Sequence, residues 1–421
     1  MPGSGRARAA ALFAGLLAVL TACTVAGPAV AAQAARVPEW RATMTRHYGA
    51  PADASGFSAV IALSRTDAWA FGGTNPGGAG APVALQWDGE SWRSWPLPSG
   101  LQDFIGDASA SSATDIWAVS YAGGYVLHWD GSHWLVAKRW HRHDVLSGVT
   151  ALGPADVWTF GTAADGMPGL GTWHFDGRSW TQPAGIAQKI YRASAVTPDD
   201  IWAVAATRRG GFIEHYDGRS WQLAGAGSAA LAGLTLDAVL AVPGGGVWAA
   251  GNLNLPHGAP GPLVIVHFNG RHWTRTITPW LADTERLAPD GSGGLWITAD
   301  DAAASGGSLV GHLSSAGQLS WMPLRDGLGS AISDVAVGLG PGPGAGPVWL
   351  SGGFLTQTGS DAAIWSGPGG SPAAPGAGGQ PSVSAIRAEN HGSAQARAVL
   401  VRPRRQFPAP AVRPRRDDRN A

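Results

Sequence analysis

A chain of 421 residues with 62 Gly, 21 Trp and only 14% charged residues is a poor candidate for a coiled coil or a helical enzyme and suits a turn-rich all-β fold. Its formal net charge of zero is unevenly spread: Arg6 and Arg8 open the chain and residues 387–421 hold nine Arg against three acids, leaving 18 basic and 26 acidic residues in the body. A body of about minus eight repels phosphate backbones, which argues against nucleic acid as a partner of the folded part.

Residues 1–32 read as an export signal, with a basic start at Arg6 and Arg8 and the apolar run "AAALFAGLLAVL" from Ala9 to Leu20. Two processing sites compete. "AVA" at 29–31 offers a signal peptidase its small residues and would give a secreted protein; "LTAC", Leu20 to Cys23, has the form of a bacterial lipobox with Cys23 as the lipidation candidate. Either way the mature domain has no disulfide, and membrane contact is expected only if Cys23 carries a lipid. No other stretch reaches the roughly 18 to 20 apolar residues of a membrane span.

Beyond the leader the chain repeats. One tryptophan recurs in "TDAWAFGG", "TDIWAVS", "ADVWTFG", "DDIWAVA", "GGVWAAG", "GGLWITA" and "GPVWLSG", at Trp69, Trp117, Trp158, Trp202, Trp248, Trp296 and Trp349, separated by 41 to 53 residues. A second series follows "DGESW", "DGSHW", "DGRSW", "DGRSW", "NGRHW" and "AGQLSW", at Trp92, Trp134, Trp180, Trp221, Trp273 and Trp321. Each unit predicts four short strands: a small alternating one, the "WAVG" type, one ending in an aromatic before Asp-Gly, and one starting at the second Trp. The Asp-Gly pairs predict type I′ turns, with two positive φ angles each.

The seventh unit supplies only "ISDVAVGL", "PVWLSGG" and "DAAIWSG". Its missing fourth strand is found in "PEWRATMTR", residues 38–46, whose Trp40 is the seventh member of the second series. An N-terminal strand completing the last blade would close a ring and remove its exposed edges. On these motifs, residues 38–367 resemble the secreted bacterial seven-bladed β-propellers related to kelch repeats and to the central domain of galactose oxidase. The resemblance implies an all-β ring of four-stranded antiparallel blades and leaves the chemistry open. The chain departs from kelch in that Gly-Gly ends the second strand only at Gly72-Gly73 and Gly352-Gly353.

In such a ring one face is uniform, with Asp67, Asp115, Asp156 and Asp200 at one repeat position. These are expected to accept hydrogen bonds from turn N–H groups, not to bind metal. The other face has loops of varied length and chemistry, the place to look for a site. Its candidates are Trp140, His141, Arg142 and His143 in "KRWHRHDVL", Arg208 and Arg209 in "ATRRGG", His257 in "GNLNLPHGAPGP", Trp280 and Asp283 in "TPWLADTER", and Asp300 and Asp301 in "ADDAAASGG". For each the competing reading is a solvated loop. Adjacent Asp300 and Asp301 are poorly placed to face each other as an acid–base pair, and meet Asp283 only if the loops of the sixth unit fold together.

Enzyme templates find no purchase. There is no G-x-S-x-G elbow, phosphate loop or H-E-x-x-H helix. The copper radical site of galactose oxidase needs a Cys crosslinked to a Tyr, and the mature domain lacks a suitable Cys. Arg192 and Arg286 are the only arginines at or beside the inner strands, too few for a sialidase-like triad. Residues 368–421, rich in Pro, Gly, Ala and Arg, read as a disordered tail. The reading is thus an exported, monomeric, non-enzymatic propeller without metal or cofactor, binding a glycan or an extracellular protein through its variable loops. The alternative is an extracellular carbohydrate-active hydrolase or lyase on the same scaffold.

Overall fold

The computed structural model describes residues 40–367, apart from 51–52, 76–79, 141–144, 162–168, 184–189, 208–209, 256–259, 302–306, 325–329, 339–345 and 358. The leader with Cys23 and the tail after residue 367 lie outside the described residues.

A first strand, β1 (Arg41–Arg46), precedes unit one, which is β2 (Ala54–Ala62), β3 (Ala68–Asn75), β4 (Pro82–Trp87) and β5 (Trp92–Ser94). Unit two is β6 (Ile105–Ser112), β7 (Asp115–Ser120), β8 (Tyr125–Trp129) and β9 (Trp134–Arg139); unit three is β10 (Gly148–Gly153), β11 (Asp156–Phe160), β12 (Trp173–Phe175) and β13 (Trp180–Thr181). Unit four is β14 (Ile190–Thr197), β15 (Asp200–Thr207), β16 (Gly210–Tyr216) and β17 (Trp221–Ala224); unit five is β18 (Leu234–Val242), β19 (Gly246–Asn254), β20 (Pro260–Phe268) and β21 (Trp273–Ile277). Unit six is β22 (Ala282–Pro289), β23 (Leu295–Asp301), β24 (Ser308–Leu313) and β25 (Leu319–Leu324), and the last is β26 (Ser330–Val337), β27 (Val348–Leu355) and β28 (Ser360–Gly367).

Units two to six are separate four-stranded antiparallel sheets. β1 pairs antiparallel with β28, Arg41 opposite Ser366 and Arg46 opposite Ala362, so the N-terminal strand is the fourth strand of the last unit. A single parallel bridge, Ala54 to Ser360, joins that unit to unit one. This repeated four-stranded architecture, with no helix among the described residues, is that of a β-propeller.

The first strands stand innermost, each beside the first strand of the next unit, and β26 lies beside β2. Their inner edge would be a row of unpaired backbone groups. Side chains from the preceding unit satisfy part of it: Asp107 accepts from the N–H of Val149, Ser109 from Ala151, Ser194 from Ala241 and Asp334 from Val60, at 2.9–3.0 Å. Six of the seven first strands also carry a register shift near one repeat position, as at Phe57/Ala59 and Leu236/Ala238; β10 has its shift nearer its end. The displaced carbonyls press on the second strand. A Cβ at Gly72 would sit on the carbonyl oxygen of Gly56, and one at Gly251 on that of Thr235, which explains the glycine of the "WAFG" and "WAAG" motifs.

Second strands are buried on both faces, whereas fourth strands such as β1 and β9 are largely exposed. The repeat tryptophans fill the seams between units: Trp69 stands against Trp129 at 5.1 Å and Trp134 at 5.6 Å, and Trp349 lies 5.2 Å from both Trp87 and Trp92. Trp69, Trp117 and Trp296 are almost wholly buried. Each fully buried indole removes about 150–250 Å² from water, roughly 4–6 kcal/mol before entropy is counted.

The type I′ turns expected at Asp-Gly do not form. Trp87 pairs with Trp92, so the connection has four residues, and of the Asp-Gly pair only the glycine has positive φ, +98° at Gly89 and +92° at Gly131. The reason is the carboxylate: Asp130 Oδ1 accepts from the backbone N–H groups of Ser132 and His133, each at 2.8 Å. Holding those donors keeps the aspartate itself out of the left-handed region.

Candidate functional site

The inner strands bring together three charged side chains from three units. Arg286 of β22 donates from Nη2 to Asp107 Oδ1 of β6 at 2.5 Å and from Nε to Asp334 Oδ1 of β26 at 3.0 Å. All three residues are 8–9% exposed. Units six and two are not neighbours in the chain order, so Arg286 reaches Asp107 through the space between the inner strands. The second oxygens take the N–H groups of Val149 and Val60. The cluster therefore ties units six and seven to units one, two and three. Arg286 Nη1 is buried with no hydrogen-bond partner among the described residues.

Two carboxylates share one guanidinium, so the fully ionised cluster carries one net negative charge. Burial pushes the Asp334 carboxyl up to about 6, Arg286 opposing and Asp107 adding to the rise. Burial likewise raises Asp107 against the pull of Arg286. For Arg286 burial alone would weaken the charge, yet Asp107 and Asp334 outweigh it and hold the guanidinium ionised. A buried cluster of this kind fixes geometry more than it adds net stability.

The repeat aspartates serve a different purpose from the one their turns suggest. Asp115 Oδ1 accepts from Trp117 Nε1 and His128 Nε2, both at 2.8 Å, and His128 stacks on the Trp117 indole at 4.1 Å. Asp156 with Trp158 and His174 repeats the arrangement, as does Asp200 with Trp202 and His215. In unit one Asp67 takes Gln86 instead. In unit six Asp290 holds His312 at 3.0 Å. The histidine precedes the Asp-Gly pair by two residues in units two to four, a regularity legible in "LHWDG", "WHFDG" and "EHYDG". These carboxylates accept indole and imidazole N–H groups, which locks the second strand to the third. Among the described residues no group of three or more His, Cys, Asp or Glu could hold a metal ion.

Of the variable-loop candidates, Trp140 is half-buried, its ring 5.4 Å from Trp173 and 6.0 Å from Trp180, with the Lys138 ammonium 5.5 Å above it. Trp280 is half-buried against Trp321 at 6.1 Å. Asp283 and Asp300 are register partners across β22 and β23, and Ala282 faces Asp301; the acids are strand residues and not loop residues. Asp283 is exposed, and Asp300 accepts a long bond from Ser308. His141, Arg142, His143, Arg208, Arg209 and His257 lie outside the described residues. Sequence reasoning passed over Asp107 and Asp334, since only the fold brings residues so far apart in the chain to one guanidinium.

No helix among the described residues is long and apolar enough to cross a membrane. No family model and no curated protein matches the chain. Solved structures do resemble it. YCF48 bound to D1 peptide superposes with a TM-score of 0.52 at 15% identity, over 79% of this chain and 96% of that one. A streptogramin B lyase gives 0.55 at 10% identity, over 79% and 99%, and a virginiamycin B lyase from Staphylococcus aureus with quinupristin gives 0.52 at 10%, over 77% and 99%. At such identities the likeness establishes the β-propeller fold and nothing further.

Proposed function

We propose that this chain is an exported seven-bladed propeller, its ring closed by β1 on β28, that binds a glycan or a protein through its variable-loop face and catalyses no reaction. The observation that supports binding over catalysis is the state of the axial cluster. Asp107, Arg286 and Asp334 converge from separate units, as an enzyme would require, but they are buried and hydrogen-bonded to one another and to the backbone. Groups so engaged hold a ring together and leave the surface loops to meet the ligand. That YCF48 was solved with a peptide makes a protein ligand a natural class to test.

The test is glycan and peptide arrays on the full chain, followed by product analysis. Binding without turnover, lost in a Trp280→Ala/Asp283→Ala variant, is the expected result. Product formation would instead favour a carbohydrate-active hydrolase or lyase on the same scaffold. Export is tested by the Cys23→Ser variant: release from the membrane fraction to the medium identifies a lipid anchor, and no change identifies the cleavage at residues 29–31.

A further inference from the structure

In three units the chain leaving the fourth strand lays an indole on the aromatic wall of the next unit. Trp95 packs 4.7 Å from Trp129, Trp140 lies 5.4 Å from Trp173 and 6.0 Å from Trp180, and Trp280 is 6.1 Å from Trp321. Unit four departs from this. After Trp221 its fourth strand ends at Ala224 and continues as Gly225, Ala226, Gly227 and Ser228, with no large side chain. The wall it faces is complete: Trp202 lies 5.6 Å from Phe268, and Phe268 stacks on Trp273 at 5.1 Å. Gly225, at φ +70°, lies between Leu231 and the Trp273 ring, and a Cβ there would meet the leucine side chain at 2.6 Å and the indole nitrogen at 2.7 Å. Where units one, two and five insert an indole, this one leaves a groove of about 560 Å³, within the size range of ligand sites.

The rim of the groove has its own charge. The hairpin tips of units one to four begin with Asp88, Asp130, Asp176 and Asp217, whose carboxylates cap the turn. In unit five the cap is Asn269, which accepts from the N–H groups of Arg271 and His272 at 3.0 Å but carries no charge. Arg271, which lines the groove together with His272, therefore faces no carboxylate in its own turn and forms no ion pair among the described residues. In the first unit, by contrast, Arg93 pairs with its turn aspartate, Asp88, at 2.7 Å. The groove thus joins an aromatic wall to an unneutralised guanidinium, on a body that is otherwise acidic.

We propose that this groove is a docking site for an acidic peptide segment of a partner protein. An aromatic side chain of the partner takes the place of the missing indole against Phe268 and Trp273, and a neighbouring carboxylate pairs with Arg271. The site uses neither Trp280 nor Asp283, so it stands or falls independently of the loop site proposed above. Isothermal titration of the full chain with acetyl-Glu-Trp-Glu-amide is expected to give one site per chain. The same peptide with Ala for Trp should not bind, and with Gln for both Glu should bind about tenfold more weakly. Ala226→Trp, which restores the cap from within, should abolish binding and raise Tm, while Arg271→Ala should weaken binding about tenfold and leave Tm unchanged. The proposal is overturned if the Trp peptide gives no heat, if the Ala peptide binds equally, or if binding survives both protein variants. Preferential binding of a uronic-acid oligosaccharide at this groove also overturns it. Should Ala226→Trp fail to fold, the peptide series and Arg271→Ala decide the matter without it.

Discussion

Replacing Arg286 by Met removes the one cation that Asp107 and Asp334 share. Met keeps much of the side-chain length, so the loss is chiefly of charge and hydrogen bonds: one bond to each carboxylate, at 2.5 and 3.0 Å. Two carboxylates 8–9% exposed would then face each other uncompensated. Breaking a buried pair from one side costs about 3–5 kcal/mol, a large share of the roughly 5–15 kcal/mol that holds a typical domain. The loss should depend on pH. A proton taken up by either Asp relieves the repulsion, and each proton offsets about 1.4 kcal/mol per pH unit below the raised pKa. Urea unfolding followed by tryptophan fluorescence is therefore expected to show a loss of about 3–5 kcal/mol at pH 7.5 that shrinks by pH 5. A loss under about 1 kcal/mol, the size expected of an exposed pair, or one constant across that range, would refute the view that this cluster clamps the inner strands.

The wild-type chain should itself be most stable near pH 4. Asp334 has its folded pKa raised to about 6, so the folded state holds its proton more tightly, and stability falls as pH rises from about 4 to 6, by about 3 kcal/mol. His47 adds to this: both ring nitrogens face acceptors, Ala50 O at 2.7 Å and Asp361 at 2.9 Å, and its raised pKa gives stability present below about 6.5 and lost as pH climbs through the folded value. Asp130, held at about 2 chiefly by the His133 N–H with help from Ser132, contributes in the opposite sense, losing its stabilisation as pH falls below about 4. Thermal melts from pH 3 to 8 check the maximum, and a monotonic rise to pH 8 would contradict it. Asp115→Ala should cost about 2–3 kcal/mol in urea unfolding, because Trp117 Nε1 and His128 both lose their acceptor inside the sheet. Gly251→Ala should be as damaging, since its Cβ meets the Thr235 carbonyl; a neutral effect on Tm would show that the inner bulge can give way. Deleting residues 1–46 removes β1 and bares the edge of β28, and the truncated chain is expected to self-associate in sedimentation experiments while the intact chain does not.

The architecture could be read from the chain because it is written many times over. Trp69 and its six counterparts mark second strands, Trp92 and its counterparts mark fourth strands, and the lone strand with Trp40 pairs with β28 as its sequence implies. Local chemistry was harder to read where two readings share one motif. Asp115 and its counterparts look like turn residues, yet they hold an indole and an imidazole, and Asp88 and Asp130 cap four-residue connections where Asp-Gly suggested shorter ones. The strands that place Asp283 opposite Asp300 read as loop in the sequence, because alternation is weak in "LADTER" and "ITADD".

Periodicity, which is a local property, determined the strands, their number and the seams that the tryptophans fill. Contacts between units are not local, and they alone decided what the exceptional residues do. Asp107, Arg286 and Asp334 are unremarkable in three separate strands until the inner strands stand side by side and one guanidinium reaches two carboxylates. The Gly225–Gly227 run becomes a groove only when the wall of unit five is set opposite it. A side chain's charge and size are written in the sequence, but its partners are set by which strands the fold places within a few ångströms.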